Sequence, residues 1–106
     1  MNSFVVVQLD GAALIWTDGV LDSPIAPELY RVLRELFDGG KRPVVVDLVA
    51  VPSIDDSVCA VLAAAAVRAG QLGFGLDIRL PGGCADSVRD ADGLRRALVQ
   101  AYPSTA

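Results

Sequence analysis

Val44-Val45-Val46-Asp47-Leu48, a spacer over 49–54, Asp55-Asp56-Ser57 and the alanine-rich stretch Val58 to Ala69 decide how this chain folds. Four of the first five residues are apolar, which reads as a central strand covered on both faces. Val58, Val61, Leu62, Ala65 and Ala69 then recur at helical spacing, predicting a helix from about Asp56 to Leu72. Ala63, Ala64 and Ala66 add helix propensity and little volume, so this helix can pack close to what lies beneath it. A strand that feeds a helix start gathers unpaired backbone N–H groups and positive partial charge at one exposed point. Ser57 sits there.

Towards the N-terminus, Phe4 to Leu9 and Ala12 to Trp16 are two β-rich runs across Asp10-Gly11, the signature of a hairpin. Ser23 followed by Pro24 predicts an N-cap and first helical residue. Ile25, Leu29, Val32, Leu33 and Leu36 share one face of that helix, and Gly39-Gly40 ends it. Towards the C-terminus, Phe74 to Leu80 alternates as a strand and Pro81-Gly82-Gly83 breaks it. A short helix over Cys84 to Ala91, stopped by Gly93, and a last strand over Ala97 to Tyr102 complete the expectation. Strands alternating with helices after an initial hairpin predict one α/β domain over residues 1–106, with a mixed sheet of four to five strands packed against helices.

Composition narrows the chemistry. The chain has 106 residues and a net charge of −4, and its eight arginines and one lysine form no stripe, which disfavours direct nucleic-acid contact. It contains no histidine, so Ser-His-Asp triads, Cys-His pairs and the usual zinc sites cannot be built. Val58 to Val67 is too short to cross a bilayer, and Met1 to Asp10 has no basic start, so a cytoplasmic protein without membrane insertion is expected. Asp47 at a strand end invites comparison with an aspartyl-phosphate receiver, but only Asp10 follows the first strand and no lysine follows Lys41. No enzyme, metal or cofactor is expected.

Val46-Asp47-Leu48, Val51 and Ile54-Asp55-Asp56-Ser57 resemble the STAS family's strand ending in Asp-Leu, its valine-bearing spacer and its helix-opening Asp-Ser-Ser-Gly. Gly19-Val20-Leu21-Asp22 is similar to the Gly-x-Leu-Asp that follows the family's second strand. The resemblance runs from Phe4 to Tyr102, with the family's C-terminal helix missing or vestigial. It implies a non-enzymatic regulator of the anti-sigma factor antagonist kind, whose partner is an anti-sigma factor that is also a serine kinase, or another regulatory protein. The phosphorylated serine of the family's motif falls on Ser57. Asp56 stands for the motif's first serine and Val58 for its glycine, which places a β-branched side chain next to the hydroxyl-bearing residue.

The expected partner surface is Asp22, Ser53, Asp55, Asp56, Ser57, Val58, Cys59, Gly82 and Gly83, all assigned to one rim of the sheet. Phosphate there would gain from the helix N-terminus and lose from Asp55 and Asp56. Two other readings compete: an adaptor in a signalling or transport assembly that is never phosphorylated, and a sensor of a small ligand or nucleotide at Gly82-Gly83. Cys59 and Cys84 are read first as small hydrophobes of a reduced protein; the alternative is a redox-linked pair at one end of the sheet, with thiolate character favoured at the helix start that Cys59 occupies. Trp16 is expected in the core.

Overall fold

Asp10 and Gly11 carry φ angles of 49° and 86°, the pair of positive values that a two-residue type I′ turn needs. In the computed structural model, which describes residues 4–103, this turn folds Phe4–Leu9 (β1) antiparallel onto Ala12–Thr17 (β2). The chain then passes through a 3-10 turn, Ser23–Ile25, into Ala26–Asp38 (α1). Ser23 caps neither element by its side chain; Pro24 and Pro27 occupy first-turn positions, where a missing N–H costs nothing. Val44–Asp47 (β3) returns parallel to β2, and Asp56–Gln71 (α2) leads to Leu76–Leu80 (β4), parallel to β3.

The last third departs from expectation. Gly83–Val88 (β5) is a strand antiparallel to β4, not a helix over Cys84 to Ala91. Pro81 and Gly82, with φ 82° at Gly82, make the two-residue turn that joins them. Cys-Ala-Asp-Ser has little intrinsic strand preference, and the free edge of β4 supplies what propensity lacks. Ala91–Ala101 (α3) is a helix where a strand over Ala97 to Tyr102 was expected, so the C-terminal helix is present. Gly93 does not stop a helix; it belongs to the first turn of α3, where its N–H donates to Asp90 Oδ1 at 2.6 Å.

The sheet runs in the order β1-β2-β3-β4-β5 without reversal. Crossovers of one hand that always advance in the same direction put their helices on the same face. Accordingly α1 packs on α2, and α3, which follows the last strand, packs on α2 from the other flank over the same side of the sheet. That side carries Ala13, Ile15, Thr17, Val44, Val46, Leu76, Ile78 and Leu80, all buried. The opposite side is open. There Trp16, 39% exposed, lies between its cross-strand partners Val5 and Asp47, so it is not a core residue and β3 is covered on one face only. In the middle of the helical layer, Ala63, Ala65, Ala66 and Ala69 of α2 are buried, leaving room for close approach on both flanks.

Two close approaches depend on glycine. A Cβ on Gly70 of α2 would stand 2.5 Å from the carbonyl oxygen of Arg89, and one on Gly75 would stand 2.4 Å from the backbone of Ser87. Ser87 is fixed in turn, since it forms a bulge in β5 with φ 52° and donates its N–H to Asp77 Oδ1 at 2.7 Å. Gly75→Ala is therefore expected to destabilise the fold by about 2 kcal/mol or more, because neither backbone can yield without breaking the β4-β5 ladder. Equilibrium denaturation in urea measures it, and an unchanged midpoint would contradict this packing.

Candidate functional site

Asp55 is the residue that shapes the start of α2. Its extended backbone makes it the N-cap, and its Oδ1 accepts from both the Ser57 N–H at 2.8 Å and the Ser57 hydroxyl at 2.7 Å. These two hydrogen bonds, backbone first, hold the Asp55 carboxyl below its usual range. Ser57 is half-buried and in the first turn. Val58 turns the other way and is fully buried, so its bulk lies in the core and not beside the hydroxyl.

The loop after β2 is stitched to the loop before α2. Leu21 N donates to Ser53 O at 3.2 Å, Asp55 N donates to Leu21 O at 2.9 Å, and Leu21 and Ile54 form a parallel bridge. Leu21 itself is buried, which anchors the pair of loops to the core. Exposed Asp22, Ser53, Asp55 and Asp56 thereby share one rim with Ser57.

Beside this rim lies a hollow of 470 Å³ between α2 and α3, bordered by Ile54, Asp56, Cys59, Arg95, Val99 and Tyr102 among others. Tyr102, which pattern reading placed in a strand, closes its floor. Its hydroxyl donates to Val51 O at 2.9 Å and to Leu48 O at 3.3 Å, tying the end of α3 to the turn that follows β3. Leu94, Leu98 and Tyr102 recur at four-residue steps, the helical signal that would have revealed it. Gly82 and Gly83 follow β4, which is parallel to β3, so they leave the sheet at the same end as the segment that leads to Ser57. They border Ala97, Gln100 and Ala101 in the last turns of α3.

The cysteines do not form a pair. Both are free, Cys59 faces the helical layer, and Cys84 is the cross-strand partner of Arg79 on the open side of the sheet. Burial, then the negative charges of Asp56 and Asp55, push the Cys59 thiol up, opposite to the thiolate character expected at a helix start. Asp47 is engaged locally, its Oδ1 accepting from Val49 N at 3.0 Å. Asp55 is turned onto Ser57 while Asp56 borders the hollow, and no group of three or more metal-ligating side chains is found among the described residues. Nor is any helix among them long and apolar enough to cross a membrane.

A family model described as "Mlab, STAS domain" matches residues 5–100. The chain belongs to the STAS family. No curated protein matches the sequence. The matched range begins within β1 and ends within α3, so every rim residue lies inside this STAS domain, a regulatory and protein-interaction module.

Burial pushes Tyr102 from 10.0 up to about 12, with Cys59 adding to the shift. A neutral phenol favoured by folding stabilises the domain below the ordinary tyrosine range, and that contribution is lost as pH rises from about 10 towards about 12. Tyr102→Phe should cost about 1 kcal/mol at neutral pH from the lost hydroxyl bonds. It should also flatten part of the alkaline decline in Tm, and parallel wild-type and variant curves would refute the latch. In alkylation kinetics with iodoacetamide, Cys84 should react about tenfold faster than Cys59. Equal rates would contradict the burial of Cys59.

Proposed function

We propose that this STAS domain is a non-enzymatic, anti-sigma factor antagonist-like module. It docks a regulatory protein, an anti-sigma factor with serine kinase activity, through Asp22, Ser53, Asp55, Asp56 and Ser57, with Ser57 as the phosphorylation switch. The observation that carries the reading is the placement of the Ser57 hydroxyl in the first turn of α2, half-buried, on the rim shared with Asp22. Burial of Val58 adds support, because the approach to the hydroxyl is not narrowed by that side chain.

The switch would be electrostatic. Phosphate on Ser57 would displace the 2.7 Å bond to Asp55 and set a dianion beside two carboxylates, only partly offset by the helix N-terminus. Burying that charge in an interface without a paired cation is strongly unfavourable, so the partner is released without any change of fold.

A second reading is favoured by the description of the matching family model, "Mlab, STAS domain", and by the engagement of the hydroxyl with Asp55: an adaptor in a larger assembly that is never phosphorylated. Incubation with the cognate kinase and ATP, read by intact-protein mass, separates the two. One phosphate gained at Ser57, with Ser57→Glu losing the partner and Ser57→Ala keeping it, is expected for the switch. No gain in mass, with both variants binding alike, would leave the adaptor.

A further inference from the structure

The two edges of the sheet are treated differently. At the β5 edge the strand starts on Gly83, carries Asp86, and is bent by the bulge at Ser87, whose N–H is already taken by Asp77. Charge, glycine and a bulge are the devices by which an edge is closed to further pairing. At the other edge, β1 bonds only to β2 among the described residues, and its six residues Phe-Val-Val-Val-Gln-Leu contain no proline, no charge and no glycine. Val5, Val7 and Leu9 stand on the open face of the sheet, 53%, 39% and 69% exposed.

We propose that β1 is a pairing edge for a second copy of this chain, joined antiparallel, β1 to β1, about a two-fold axis. An antiparallel edge is its own complement: rotated by the two-fold, each free N–H meets a free carbonyl of the other copy. Charge selects this strand. With a net −4, two copies that approach by most faces bring like charges together, whereas the whole of β1 is neutral. The nearest charge, Asp10, lies beyond the end of the strand, and antiparallel pairing sends the two Asp10 side chains to opposite ends of the interface. The exposed Val5, Val7 and Leu9 rows of the two copies become cross-strand neighbours on one continuous ten-stranded sheet. One strand pair is smaller than a standard interface, so the association is weak, with Kd on the order of 10–100 µM.

Sedimentation velocity from about 5 to about 500 µM brackets that range. The weight-average mass should rise from 11.1 kDa towards twice that value. Amide exchange in β1 should slow with concentration while exchange in β5 does not. Val5→Lys and Val7→Lys change exposed side chains outside the core, so they should keep the wild-type Tm while weakening association about tenfold or more. Tyr30→Lys, on α1, should leave it unchanged. A wild-type mass that stays at 11.1 kDa throughout overturns the proposal, as does unaltered association of both lysine variants. Stacking of two open sheet faces would also be lost in those variants, but it would leave β1 amides exchanging at the monomer rate, which overturns the edge assignment.

Discussion

Strand order that never reverses is the constraint from which the rest of this domain follows. Crossover connections have one hand, so a sheet that always grows in the same direction receives α1 and α2 on one side, and α3 joins them there by packing on α2. The core is then a single layer between Ile15, Val44, Val46, Leu76 and Ile78 of the sheet and the inward faces of three helices. α2 is the central helix and touches both neighbours, which is why its inner residues are mostly alanine. A sheet of this kind has no point where the order turns back, and so none of the crevice in which doubly wound folds hold nucleotides.

The same geometry positions the rim. Because β2 and β3 are parallel, the segments that leave them emerge at the same end, and Leu21, Ser53 and Asp55 lock those segments together through their backbones. Asp55 then spends its carboxylate on the first turn of α2, which orients Ser57 without burying it. α3 completes the arrangement from the far side. Tyr102 reaches the carbonyls of Leu48 and Val51, so the end of α3 braces the turn that leads to the rim.

Much of this was legible residue by residue. Asp10-Gly11 announced the hairpin because only a few residue types accept positive φ at two successive positions. The helical faces of α1 and α2 were visible because 3.6-residue periodicity survives whatever the helix packs against. The strand β5 was not legible, since Cys84 to Ser87 has no pattern of its own and pairs only because β4 offers an open edge. Gly93 misled for a related reason: glycine reads as a terminator, whereas here it sits inside a helix start with Asp90 bonded to its N–H.

The amino-acid sequence alone determined the hairpin, the two crossover units, the family and the serine at the opening of α2, because each rests on local conformation or on contiguous spacing. Tertiary structure decided which face of the sheet is bare, that Val58 points inward, that Cys59 and Cys84 lie on opposite sides of the sheet, and that the last turns of α3 border Gly82-Gly83. These depend on where strands already formed direct the next segment in space. A run such as Val44 to Leu48 is equally apolar whether one of its faces is covered or both.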